Sequence, residues 1–231
     1  MKEEKLILDG LIIFLKRKNI KNIYLRVKPP NGEVHLSVPQ YLSDENVVDF
    51  IKSKKEWIIN KQNYIIDNNI EAPLKYIDGE THYLWGEKYT LKLIENTKIN
   101  QVSLNKSKSI IYLPVPKRST KEKREKILTE FYRLQLKKAL PPILEKCIKI
   151  VGKTPSKVSI RKMKNWGNCR QDGRITLNLN LSKKDPICLE YVIIHELCHL
   201  IEFNHSKKFK KLMDEYCPNW KEIKKILNEK D

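Results

Sequence analysis

Apolar and polar residues alternate along the first forty positions. In Lys21–Val27 (KNIYLRV) and Glu33–Pro39 (EVHLSVP) the apolar residues recur at a period of two, which is the spacing of a half-buried strand. Pro29, Pro30, Asn31 and Gly32 stand between them and read as a turn. The stretch from Leu6 to Leu15 is apolar but broken by Asp9 and Gly10, so it too reads as strands. The period then changes. Ser43 is a helix N-cap, Asp44 and Glu45 follow where the helix dipole favours carboxylates, and Val47, Val48, Ile51, Ile58, Ile59 and Ile65 supply apolar positions up to about Asp67. Beyond it the period of two returns in THYLWG, KYTLKLIE, QVSLN and SIIYLPVP.

The character changes at Pro114 and Pro116, where a boundary is expected: residues 1–116 form a mostly β region with one long helix, and residues 117–231 a second domain. Helical sequence runs from Ser119 to about Lys138. Pro141 and Pro142 are expected to interrupt it, because proline lacks a backbone donor and crowds the preceding turn. A second helix then ends at Gly152. KVSIRKM and RITLNLNL (Arg174–Leu181) read as strands, with Asp172 and Gly173 as turn residues between them. Three helices close the chain, over about Pro186 to Phe203, Ser206 to Tyr216 and Pro218 to Asn228. No internal repeat is visible in the residues. The class is α+β.

Composition narrows the field. With 231 residues the chain can bury a core without staples. Its 40% hydrophobic and 32% charged residues suit a soluble globular protein. No apolar run reaches the roughly 18 residues needed to span a bilayer, so no membrane association and no signal peptide are expected. Five cysteines without CxxC spacing fit a reducing cytoplasm better than a disulfide framework. The formal charge is +18, and the 58 residues from Lys117 to Arg174 hold 18 basic and 5 acidic side chains, a net +13. That concentration suits a nucleic-acid or acidic partner, or simply a solvated Lys-rich helix in a Lys-rich chain.

The chemistry gathers in YVIIHELCHLIEFNHSKKF, which holds three of the five histidines: His195, His199 and His205. His195 and His199 are four apart, so on a helix they lie about 40° apart around the axis. Glu196 flanks that face, and Ile193, Ile194, Leu197, Cys198, Leu200 and Ile201 cover the opposite arc. Two imidazoles and a carboxylate on one helix face are what a zinc hydrolase needs. Asn204 tolerates the left-handed conformation that ends helices, and would let His205 return toward the metal as third ligand. Three protein ligands leave a fourth position for water, the mark of a catalytic site. The residues alone leave two other readings open, a chance HExxH and a structural zinc site, although the cysteines do not cluster as ligand pairs.

Further motifs accompany the helix: WGNC (Trp166–Cys169), RITLNLNL, and PNW (Pro218–Trp220), with YLRVKPPNGEVHLSVP in the first half. In this order they resemble the YgjP-like metallopeptidase domain family over nearly the whole chain. The resemblance implies a zincin-like fold for residues 117–231, one zinc ion per chain bound by His195, His199 and His205, Glu196 as general base, and a peptide or protein substrate. That family usually has Ser where this chain has Asn168.

The remaining polar residues are ambiguous. Asn178 and Asn180 could hold extended substrate on their strand or simply face solvent; Trp166 could line the cleft or pack in the core; Arg170 could stabilise an oxyanion or face solvent after a turn. Phe209, Leu212, Met213 and Tyr216 recur at helical spacing and read as core. The function expected is a zinc-dependent metallopeptidase with a zinc-activated water. The alternative is a DNA-associated protein, or a protease acting on DNA-bound proteins, working through the basic segment. Oligomeric state is not written in the residues.

Overall fold

The computed structural model of the chain describes residues 3–67, 72–95 and 101–229. The chain forms two compact units, Met1–Leu74 and Lys75–Asp231.

In the first unit, strands β1 (Glu4–Leu8), β2 (Leu11–Lys18), β3 (Tyr24–Lys28) and β4 (Glu33–Pro39) precede helix α1 (Asp44–Asp67). The sheet order is β1-β2-β4-β3, with β2 and β4 parallel and the outer pairs antiparallel. The alternation dictates the packing. Ile13, Leu15, Val34, Leu36 and Val38 face one side of the sheet and share a core with Val47, Ile51 and Ile58 of α1.

The second unit begins with the same architecture. Strands β5 (Thr81–Leu84), β6 (Glu87–Glu95), β7 (Ser103–Asn105) and β8 (Ile110–Val115) lead into helix α2 (Lys121–Val151). Their order is β5-β6-β8-β7, again with a parallel central pair and antiparallel outer pairs. Contrary to the sequence-based expectation, the chain therefore contains an internal repeat. Val34, Leu36 and Val38 of β4 correspond to Ile111, Leu113 and Val115 of β8. The first hairpin of each copy turns through two left-handed residues, Asp9-Gly10 in one and Trp85-Gly86 in the other. Ser43 and Thr120 cap the two helices, accepting from the N–H of Asn46 and Lys123. The repeat escapes a reading of residues because the copies share alternation and turn geometry but few identities. Even the left-handed residue of the second hairpin differs, Gly32 in one copy and Ser109 in the other.

The boundary expected after residue 116 falls inside the second unit. Leu91, Leu113 and Val115 of the sheet share one core with Leu128, Phe131 and Tyr132 of α2, so Pro114 and Pro116 end a strand, not a domain. The interruption expected at Pro141 and Pro142 is also absent: α2 is a single helix of 31 residues, closed by Gly152 in the left-handed conformation. Both prolines are exposed, so water can meet the carbonyls that lose their partners. The N-terminal half of α2 belongs to the sheet core, while Leu136, Cys147 and Val151 belong to a second core built around α3.

The rest of the unit comprises β9 (Lys157–Arg161), β10 (Gly167–Cys169), β11 (Arg174–Asn178), a 3-10 turn over Leu179–Lys183, and helices α3 (Pro186–Cys198), α4 (Lys207–Tyr216) and α5 (Trp220–Asn228). The sheet order is β10-β11-β9, so β10 is an edge and β11 is paired on both sides. The strand expected to reach Leu181 stops at Asn178, whose side chain accepts from the Asn180 N–H at 3.0 Å and turns the chain into the 3-10 segment. That segment docks on the β5–β6 turn, where Trp85 and Gly86 donate their N–H groups to Ser182 and Lys183 at 2.8 and 3.0 Å. Asp185 then caps α3 through a 2.9 Å bond from the Ile187 N–H. The second sheet thus fixes the start of the helix that carries the histidines. Among the described residues, no helix is long and apolar enough to cross a membrane.

Candidate metal centre

Helix α3 is almost wholly buried. Leu189, Val192, Ile193, Ile194, Leu197 and Cys198 fill the core, as the helical phase predicts. The helix ends at Cys198, earlier than the expected Phe203, because the backbone tightens: the N–H groups of Leu200 and Ile201 bond to carbonyls three residues back. His199 occupies the C-cap position. The chain returns through a tight turn in which the Ser206 N–H bonds to the Asn204 carbonyl at 2.7 Å, with His205 between them. Asn204 is not among the residues with positive φ, so this turn performs the return that was expected of a left-handed Asn204. Ser206 then caps α4, accepting from the Phe209 N–H at 3.3 Å.

The result is a cluster. One ring nitrogen from each of His195, His199 and His205 lies within 4.8 Å of the others, and the Nε2 atoms of His195 and His205 are 3.0 Å apart. Tetrahedral zinc with bonds of ~2.0–2.1 Å spaces its nitrogen ligands by roughly 3.4 Å, so the donor set fits such an ion. The His199 Nδ1 lies 3.2 Å from the Glu202 carbonyl. A carbonyl can only accept, so the proton sits on Nδ1 and Nε2 keeps its lone pair. Burial, with His199 and His205 alongside, holds the His195 pKa down to about 3, and burial also lowers that of His199. Neutral imidazole is the form that binds metal.

Two residues shape the centre in ways the sequence did not reveal. Phe209 of α4, expected only as core, lies beneath all three imidazoles, with ring centroids 4.9, 4.5 and 4.8 Å from those of His195, His199 and His205. Its place four residues after His205, at the third position of a capped helix, is the only sequence signal. Gly167 of β10 is the second. A Cβ there would fall on the Glu196 Oε1 and 2.8 Å from Cδ and Cγ, so the Glu196 side chain lies directly against strand backbone. Glu196 is only 4% exposed, and burial pushes its carboxyl up to about 8. The WGNC motif therefore supplies the wall against which the acid rests. The chain belongs to the YgjP-like metallopeptidase domain family.

That family matches residues 21–230, and membership makes the protein a metallopeptidase-family member that acts with a metal ion on peptide or protein substrates. No curated protein matches the chain. Among solved structures, the chain is similar to the crystal structure of the metallopeptidase zymogen of Pyrococcus abyssi abylysin, at 28% identity over 37% of this chain and 89% of that one, with a TM-score of 0.35.

Other residues singled out in the sequence lie elsewhere. Asn178 is buried and neither faces solvent nor offers itself to substrate: its Nδ2 donates to the Met163 and Asn165 carbonyls at 2.8 and 2.9 Å, pinning the loop that leads into Gly167. With β11 paired on both sides, the edges of this sheet are β10 and β9, and β10 is the one that lies against Glu196. Trp166 packs on the core and donates through Nε1 to Asn228 at 3.2 Å. Arg170 is exposed in the β10–β11 turn. In the basic segment, Arg133, Lys146, Lys149, Lys162 and Arg174 pair with Glu130, Glu190, Glu145, Glu125 and Asp172.

Proposed function

We propose that this YgjP-like protein is a zinc-dependent metallopeptidase of zincin-like layout, in which His195, His199 and His205 hold one zinc ion and Glu196 is the general base. The observation that carries the reading is the convergence of three imidazoles, with a buried carboxyl next to the first of them in the chain. A zinc ion held there would polarise a peptide carbonyl and lower the pKa of a water toward about 7. The chain's own residues do the rest. A cation beside Glu196 favours its ionised form, offsetting the effect of burial. The carboxylate then accepts the proton of the attacking water and delivers it to the leaving amine. The wall at Gly167 limits the directions the carboxylate can take. The β10 edge, running from Gly167 to Cys169, offers unpaired backbone groups to an extended substrate. The five cysteines are free and buried, which suits a reducing compartment such as the cytoplasm.

The test separates binding from chemistry. Glu196→Gln should retain about one zinc per chain, by elemental analysis, and lose hydrolysis by at least about 10²-fold. His199→Ala should lose the zinc. Zinc retained in full without His199, or turnover unchanged in Glu196→Gln, would remove the assignment. A proteome-wide cleavage profile of wild type against Glu196→Gln would then define the substrates.

A further inference from the structure

The sheet of the first unit has a second face, opposite α1, and its chemistry is unlike that of the repeat's other copy. Pairing sets Lys5, Phe14, His35 and Arg26 side by side across the four strands. The next row holds Lys16, Ser37 and Tyr24. Lys18 and Lys28 extend the face at either end, and with Phe14, Lys16, Tyr24, Arg26, His35 and Ser37 they line a concavity of about 350 Å³, while Lys5 lies outside it. Phe14 and His35 stack, with centroids 5.0 Å apart and rings inclined by 22°. Tyr24 is 48% exposed. The acids on this face are Glu3 and Glu33, and both reach His35, at 3.5 and 3.3 Å. Lys5, Lys16, Lys18, Arg26 and Lys28 make no ion pair among the described residues.

Topology does not require this. In the second copy the positions equivalent to Phe14, His35 and Arg26 are Lys92, Tyr112 and Ser103, and those equivalent to Lys16 and Ser37 are Ile94 and Pro114. The first copy sets five cations around three aromatic rings; the second sets two, Lys88 at 5.9 Å from the Tyr83 ring and Lys92 opposite Tyr112.

We propose that the outer face of the β1-β2-β4-β3 sheet binds single-stranded nucleic acid. The five cations supply phosphate contacts, and Phe14, His35 and Tyr24 supply surfaces on which bases stack. Duplex is disfavoured, because its bases are stacked on one another and cannot meet the rings. An acidic peptide would satisfy the cations but leave the rings without a matching partner. The residues of this site lie in the first unit and those of the metal centre in the second.

The experiment is fluorescence anisotropy of the full-length protein with fluorescein-labelled 20-nucleotide oligo(dT) and oligo(U), a 20-base-pair duplex, and labelled poly-glutamate. Both single strands should bind more tightly than the duplex and the poly-glutamate, and a preference between the two will show whether the 2′-hydroxyl is read. Tyr24→Ala, at an exposed position, should weaken single-strand binding by about 5- to 150-fold, the equivalent of ~1–3 kcal/mol for one stacked base, without changing the salt slope. Lys16→Glu with Arg26→Glu should weaken binding and also flatten the dependence on salt, since each lost phosphate contact removes about 0.7 from the slope on single strands. Peptide hydrolysis should be unchanged in all of these variants. The proposal is overturned by an absence of single-strand binding at 50 mM salt, by equal affinity for duplex or poly-glutamate, by indifference to Tyr24→Ala, or by binding that responds instead to reversal of Lys121 and Arg124.

Discussion

In the first copy of the repeat, α1 runs for 24 residues and shares a core with its own sheet; in the second, α2 runs for 31 and carries on into the core around α3. The strand orders and pairing senses are the same. What differs is the extension of one helix and the docking of the 3-10 segment on the β5–β6 turn. Those additions make the second copy a scaffold for the histidine helix. In the first copy α1 ends at Asp67, and the outer sheet face carries a chemistry of its own. A fold used twice in one chain therefore supports the histidine helix in one copy and carries a cationic, aromatic sheet face in the other, and residue identity decides which.

Equivalent core positions give the sharpest break. Ile51 and Leu128 lie twelve residues beyond Pro39 and Pro116, and both are fully buried. Replacing either with Ala should cost about 2–5 kcal/mol by denaturant titration. Leu128→Ala should also reduce zinc retention and peptide hydrolysis, whereas Ile51→Ala should leave both within about twofold. Equal losses of activity would show that the copies do not act separately.

The second expected effect is local to the site. Gly167→Ala should cut kcat by about 10²-fold while zinc content stays at one, because the new methyl displaces Glu196 and touches none of the three histidines named as ligands. Its stability cost, of about 1–3 kcal/mol, should disappear in a Glu196→Ala background. A double-mutant cycle without coupling would show that the wall acts on something else.

A smaller contrast comes from the two hairpins. Gly10 and Gly86 both have φ near +80°, yet a Cβ at Gly10 meets nothing within 4 Å while one at Gly86 lies 3.3 Å from the Asp185 nitrogen. Gly10→Ala should cost about 1–2 kcal/mol from backbone conformation alone. Gly86→Ala should cost more, and its unfolding should shift the signal of α3, which Asp185 caps.

The smallest effect is a pH dependence of the second copy. His82 is buried, and desolvation lowers its pKa, although the Glu80 carboxylate 3.0 Å away opposes this. A group with a lowered folded pKa takes up its proton more readily when unfolded. Its contribution is therefore complete above about pH 6.5 and is lost as pH falls below that value, at no more than about 1.4 kcal/mol per pH unit. His82→Gln should flatten the acid limb of a melting-temperature profile. An unchanged acid limb would place the titration elsewhere.

Much of this molecule was legible in its residues. The alternation located the strands of the two four-stranded sheets, and the α1 bounds followed from Ser43 and the apolar spacing. The HExxH phase on α3 was legible because a helix repeats at a fixed angle, so sequence distance there is spatial distance. Gly167 was not legible: its constraint comes from Glu196, which lies 29 residues away in sequence and meets it only across the fold. Asn178 failed for a related reason, since period-two logic predicts a face but not a buried clamp on a neighbouring loop. The proline pair misled because the rule against proline in helices concerns lost backbone bonds, and at an exposed position water can replace them.

That proline pair has a consequence for how α2 opens. Pro141 and Pro142 have no amide hydrogen, so the helix lacks the two rungs that would tie them to Lys137 and Lys138. Leu128, Phe131 and Tyr132 hold the helix to the sheet, and from Leu136 onward Leu136, Cys147 and Val151 hold it to the core around α3. The missing rungs weaken the helix just beyond Leu136, close to where the sheet core gives way to the core around α3, so amide exchange should divide α2 into two cooperative segments there.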